Sequence, residues 1–181
     1  MMSVYSLPVD VRELLSRDEK VIWYDKPVLS ALMLKSLSML IIGLPFLIFP
    51  LLIFGFTGGL NPSTFFVLIP FFAFWYGIVG LITIGPIIHV SLSWRNMLYL
   101  LTDKRIIVRQ GAVGIDYEIL DLENVQQVNL NVGFWDKVYG TGTITIHSIG
   151  VKPVSLYAIR EPTRALMIIR RAVEERGRSN R

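Results

Sequence analysis

From Ser36 to Trp94 the chain carries no Asp, Glu, Lys or Arg, and His89 is the one imidazole among those 59 residues. Two long apolar runs fill the stretch, residues 36–56 and 65–90. A run of about 20 apolar residues crosses the roughly 30 Å hydrocarbon core of a bilayer as an α-helix. The first run holds 21 residues, about 31 Å at about 1.5 Å per residue. The connector TGGLNPST (57–64) separates the two runs, so the pattern predicts a transmembrane helical hairpin.

Composition supports this division. Apolar residues make up 52% of the chain and charged residues 18%, against about 25% charged in soluble domains. Residues 1–35 carry five basic and five acidic side chains; residues 95–181 carry 13 and nine, which supplies the whole net charge of +4. The expected organisation is a cytoplasmic lead-in (1–35), the hairpin (36–90), a small cytoplasmic domain (95–176) and a basic tail (177–181). Both signs of charge crowd residues 10–35, and the first apolar run is too long for a secretory h-region. It is therefore expected to persist as a helix. With no cysteine, disulfides and thiolate metal sites are excluded.

Basic residues near span ends remain on the cytoplasmic side. The connector has none, whereas Lys20, Lys26 and Lys35 precede the first span and Arg95, Lys104, Arg105 and Arg109 follow the second. The expected location is the cell membrane, multi-pass, with both termini cytoplasmic. Trp23, Tyr24, Trp94 and Tyr99 flank the spans on that same side, where amphipathic rings favour the headgroup layer. Pro45, Pro50 and Pro70 are expected to kink the spans, since proline removes a helical hydrogen bond. Ala73 and Gly77 have the small-xxx-small spacing that permits close packing, here between the two spans of one chain.

Outside the hairpin the pattern changes. A short helix is expected after Pro8 on Val9, Val11, Leu14 and Leu15, and a short strand at residues 21–24 that Pro27 stops. This segment is either a surface-lying lead-in or an element packed on the cytoplasmic domain. Strands are expected at 97–101, 106–108, 117–122, 128–132, 143–147 and 154–159 from apolar runs and alternation. Pro162 opens a final helix whose Ala165, Leu166, Ile169, Ala172 and Val173 form an apolar stripe. Antiparallel strands followed by one amphipathic helix imply a β-sandwich or open barrel with the helix over its apolar opening.

The segments YLLTDKRIIV (99–108), ILDLENVQQV (119–128) and FWDKVYGTGTITI (134–146), with Gly111 between the first two, resemble the bacterial pleckstrin-homology-like membrane proteins. With the two-span hairpin and the closing helix, the resemblance covers most of residues 20–175. It implies a membrane-anchored α+β chain whose seven-stranded sheet pair is capped by a C-terminal helix, and it implies no catalytic activity. Pleckstrin-homology domains that bind inositides surround the first hairpin with basic residues. Here that turn offers only Lys104 and Arg105 beside Asp103, so specific inositide binding is not carried over.

Catalytic chemistry has little to work with. Nucleophilic catalysis needs a nucleophile, a base and an orienting group, and His89 and His147 are the only histidines. Gly140-Thr141-Gly142 leads into a strand rather than a helix N-terminus, so it is no phosphate loop. The spans lack the ionisable groups that proton or ion paths use. No enzyme activity, cofactor or metal is expected. The residues left with a role are Arg95, Lys104, Arg105, Arg109 and Lys137 as headgroup-facing cations, and Trp23, Trp94 and Trp135 as anchor aromatics. Trp135 has a second reading, as a plug in the core of the barrel.

The expected function is a non-enzymatic membrane-anchored interaction or scaffold module. Its expected partners are membrane lipids and copies of itself or other membrane proteins, and not nucleic acid. Two alternatives stand beside it: sensing of lipid headgroups, and a channel-like or transport accessory formed by oligomerised hairpins.

Overall fold

The structure is a computed structural model that describes residues 7–56 and 62–179. Residues 57–61 of the expected connector and 180–181 of the expected tail lie outside them. Pro8 caps a one-and-a-half-turn helix α1 (Val9–Leu14), and strand β1 (Val21–Asp25) follows. Next come two long helices, α2 (Leu29–Phe56) and α3 (Pro62–Asn96). Strands β2 (Leu98–Thr102), β3 (Arg105–Gln110), β4 (Asp116–Asp121) and β5 (Val125–Asn131) come after α3. A short helix α4 (Phe134–Tyr139) separates β5 from β6 (Thr141–Ser148) and β7 (Val151–Arg160). Helix α5 (Pro162–Ser179) closes the described chain.

The seven strands form two antiparallel sheets, β1-β2-β3-β4 and β5-β6-β7. Their facing sides meet in one core that includes Tyr99, Leu101, Ile106, Val108, Leu120, Ile144, Ile146 and Leu156, which α5 covers with Ala165, Ile169 and Ala172. Burying one such aliphatic side chain contributes about 1.5–3 kcal/mol. β2 and β3 read as unbroken apolar runs because both of their faces are buried. Their second face, Leu100 and Ile107, is covered by Leu7 and Val11 at and before α1. The lead-in is thus part of the domain: β1 supplies the edge strand beside β2, and α1 roofs the sheet. This packing decides between the two readings of residues 9–24. Two further differences appear. α5 carries the chain helically to Ser179, through the start of the expected tail. α2 begins at Leu29 and α3 ends at Asn96, so each helix outlasts its apolar run at the domain end.

β1 enters α2 and α3 leads into β2, yet β1 and β2 are hydrogen-bonded neighbours, with Asp25 opposite Tyr99. The helical hairpin is therefore the connection between two adjacent strands. Both helices are long and apolar enough to cross a membrane. Large side chains point outward around them, including Ile41, Leu51, Phe74 and Leu81. A helix apolar on all sides needs an apolar surrounding.

The helices meet through residues three or four apart, which share one helix face. Gly43 faces Thr83 so closely that an added Cβ would stand 1.9 Å from Thr83 Cγ2. Pro50 leaves the Phe46 carbonyl without its usual i+4 donor, and the Trp75 indole N–H supplies one at 3.0 Å. The Tyr76 hydroxyl donates to the Leu47 carbonyl at 3.3 Å. The expected small-residue contact falls elsewhere: Ala73 and Gly77 are exposed, and a Cβ on Gly77 would meet nothing within 4 Å. Gly43 opposite Thr83 is the close approach instead.

Candidate functional site at the base of the hairpin

Strand direction divides the sequence-predicted residues between two ends of the domain. α3 hands over to β2 at Met97, and Arg109 pairs opposite Leu98. The turn joining β2 to β3 lies four residues further along β2, about 13 Å away at about 3.3 Å per residue. Lys104 and Arg105 are therefore at the end of these strands remote from the hairpin, and the expectation that they face a membrane the hairpin enters is corrected by this register.

Arg105 and Arg109 are also already engaged. Arg105 makes a two-pronged ion pair with Glu19, Nη2–Oε2 at 2.7 Å and Nε–Oε1 at 2.9 Å, and donates to the Leu14 carbonyl. The Glu19 side chain is fully buried, and Thr102 Oγ1 donates to it at 2.7 Å. Burial opposes its charge, but Arg105, Thr102 and the Ser16 N–H outweigh this and hold the carboxyl down at about 2. Arg109 pairs with Asp10 at 2.7 Å and donates to the Asn96 carbonyl. The Tyr117 hydroxyl also donates to Asp10 and, with Arg109, keeps its carboxyl below the usual range. Both arginines thus clamp the N-terminal segment onto the first sheet. Asp103 accepts the Lys20 N–H at 2.9 Å, which further occupies the first turn.

At the hairpin end a different set converges. Trp94 donates its indole N–H to the Pro27 carbonyl at 2.7 Å, and Lys26 lies 4.1 Å over the Trp94 ring. Lys26 Nζ also reaches the Arg95 carbonyl. Lys35, one residue before the charge-free stretch, approaches the Tyr157 ring at 5.7 Å. The Val28 N–H bonds the Ala158 carbonyl, tying the start of α2 to β7. The Tyr99 hydroxyl donates to the Tyr157 carbonyl and accepts the Tyr157 N–H, which fastens the two sheets together at this end. Burial pushes that phenol well above its ordinary value.

α4 packs beside α2. Its carboxylate, Asp136, turns inward, accepting the Gly133 N–H and the Thr141 hydroxyl, each at 3.0 Å. Its apolar side chains turn outward: Phe134 is 73% exposed and Val138 62%, with Trp135 and Tyr139 near 40%. Lys137 is exposed among them. Trp135 is thus not a plug in the core, which is closed by aliphatic side chains and α5. Trp23 is the tryptophan that packs against that core.

His89 is exposed on α3, and His147 is half-buried on β6 opposite Gln127. Among the described residues, no three His, Cys, Asp or Glu side chains come together to hold a metal ion.

The family model described as bacterial PH domain matches residues 27–175, well over half of the chain and including both long helices. The chain belongs to the bacterial PH-domain family. Among solved structures, a DUF1696 family protein with a pleckstrin-homology domain from Shewanella loihica is similar at 13% identity and a TM-score of 0.36, over 42% of this chain and 70% of that one. A search of curated proteins returned no relative.

In this bacterial PH-domain chain, Arg95 and Lys137 of the five predicted cations remain exposed at the hairpin end. Lys26 and Lys35 join them there and were missed as site residues, although their position just before the first apolar run was a usable signal. α4 was missed as a helix. Six residues with no 3.6-residue stripe toward the core give no periodic signal; Gly140, left-handed at its end (φ 63°), is the residue type that commonly stops a helix.

Proposed function

We propose that this bacterial PH-domain chain is a non-enzymatic, membrane-anchored interaction module. α2 and α3 span the cell membrane, both termini lie in the cytoplasm, and the domain is held at the inner face, where it assembles with copies of itself or with other membrane proteins. The observation that carries this reading is the insertion of the apolar hairpin between paired neighbours β1 and β2. Two strand-to-helix junctions, fastened by Trp94 to Pro27 and by Val28 to Ala158, make anchor and domain one unit rather than two bodies on a tether. Only 11% of each candidate span is buried by the protein itself, which leaves a large apolar surface for lipid. The exposed Lys26, Lys35 and Arg95 at the base agree with the retention of basic residues on the cytoplasmic side. An open apolar groove of about 490 Å³ between α2 and α3, lined by Met39, Ile42, Phe46, Phe74 and Trp75, has room for a partner's apolar side chains and is in keeping with assembly.

The absence of cysteine makes the test direct. A single Lys152→Cys should resist alkaline extraction with the membrane and react with an impermeant maleimide only after sealed cells are lysed. Labelling in sealed cells, or recovery in the alkaline-soluble fraction, refutes the topology. A lone monomer in nanodiscs, with no cross-linked neighbour in native membranes, refutes the assembly.

A second reading is contact with anionic headgroups, favoured by the clustering of Lys26, Lys35, Arg95 and Lys137 at one end. Each cation near an anionic leaflet contributes about 1 kcal/mol, screened by salt. Hydrogen-exchange protection around these residues should then rise in nanodiscs with anionic lipid and fall with salt. Protection indifferent to both excludes this reading.

A further inference from the structure

We propose that α4, together with the tip of the β3–β4 turn, is a second point of membrane contact: an apolar dock that seats the PH-like domain in the lipid interface. The inference rests on the membrane-spanning reading of the hairpin and adds to it how the domain is oriented. Its first support is the inverted polarity of α4. On a water-facing surface helix the carboxylate faces solvent and apolar side chains face the core. Here Asp136 is held inward by two hydrogen bonds. Phe134, Trp135, Val138 and Tyr139 face out, and the first two rings meet edge-on at 5.0 Å. Aromatic side chains with a polar tip favour the layer between hydrocarbon and water.

Position is the second support. α4 lies against α2. α2 has 28 residues, about 42 Å at about 1.5 Å per residue, so it exceeds a roughly 30 Å core by about 12 Å. Its charge-free part starts at Ser36, so the turns before Lys35 cross the headgroup layer next to the domain. On the α3 side, the Asn96 amide donates to the Gly111 carbonyl at 3.0 Å. The turn fixed by this bond carries Val113, which is 99% exposed, and Ile115, 43% exposed. Apolar protrusions thus stand on a helix packed against α2 and on a turn bonded to the last residue of α3. The surface that receives these side chains is the bilayer interface, and the attraction is apolar burial, independent of anionic lipid.

The test uses the full chain in phosphatidylcholine nanodiscs, with one environment-sensitive label per protein. Labels go on Val138→Cys, Val113→Cys, Ile149→Cys and Ile48→Cys. Ile149 lies in the turn at the remote end, bonded to Asn124, and Ile48 lies within α2. A quencher attached near the headgroup end of the lipid chain should extinguish the labels at 138 and 113, while aqueous iodide should extinguish only the label at 149. Quenching at 138 and 113 should survive high salt. Iodide quenching at 138 and 113 places them in water and overturns the proposal. Protection from both quenchers there places them against protein, such as a second copy, and overturns it equally. If lipid quenching reaches residue 48 but not 138 or 113, the dock alone fails. If a quencher at the middle of the lipid chain does not reach 48 either, the membrane-spanning reading itself fails.

Discussion

The bond from Trp75 to Phe46 tests whether this hairpin is held where Pro50 interrupts the hydrogen-bond ladder of α2. Pro50 has no N–H, so the Phe46 carbonyl loses its helical donor, and the Trp75 indole takes that place at 3.0 Å. In a Trp75→Phe variant the ring contact with Phe71 can persist, but, on the proposed membrane-spanning reading, the carbonyl is left without a partner in lipid. A buried polar group without a partner costs about 1–3 kcal/mol, while side-chain bonds between membrane helices average about 0.6 and reach about 1.7 kcal/mol. The expected cost of the bond is therefore about 1 kcal/mol, about fivefold in the equilibrium constant. Pro50→Ala restores an N–H at i+4 to the same carbonyl, so Trp75→Phe should lose most of that cost in the Pro50→Ala background. The assay is reversible unfolding in mixed dodecylmaltoside and SDS micelles, read by energy transfer between labels on Leu44→Cys and Leu81→Cys. If Trp75→Phe costs the same in both backgrounds, the indole does not serve the carbonyl that proline frees, and the reasoning fails.

Other expectations follow from the same contacts. Gly43→Ala should weaken hairpin packing by about 1–3 kcal/mol through overpacking, and Thr83→Ser, which removes the clashing Cγ2, should restore it in the same micelle assay. Glu19→Gln should destabilise the domain by about 2–3 kcal/mol, since Arg105 loses a charged hydrogen-bonded partner. In the parent chain Glu19 titrates near 2 when folded against 4.5 ordinarily, so its contribution is full above about pH 4.5 and is lost as pH falls toward 2. A pH series of thermal unfolding should show this acid loss, and show it reduced in Glu19→Gln. Gly111→Ala should cost about 3 kcal/mol, because φ is +135° and the new Cβ would stand 2.3 Å from the Gly114 carbonyl oxygen. Hydrogen exchange should rise first in the β3–β4 turn of that variant. Lys104→Ala, at the remote end, should leave the lipid dependence of exchange at the hairpin base unchanged.

The helical hairpin was legible because solvation is a local property. Each residue from 36 to 94 contributes its own transfer cost wherever it sits. The six strands after the hairpin were legible for a related reason, since alternation and apolar runs reflect which faces are covered. The roles of single residues were not legible. Arg105 looked like a free cation because Glu19 lies 86 positions away, and Arg109 because Asp10 lies 99 away. Ala73 and Gly77 have the right spacing for helix contact but point outward, since the crossing is set by Gly43 against Thr83.

The sequence by itself determined that the chain divides into an apolar hairpin and a sheet domain closed by an amphipathic helix, because composition and period need no partner to be read. Only the tertiary structure decided that β1 completes the sheet across the hairpin, that two arginines clamp the N-terminal segment, and that α4 turns its aromatics outward. Those outcomes depend on which distant groups meet. Pairing across such separations is settled by the packing of the whole fold and leaves no mark in any local window.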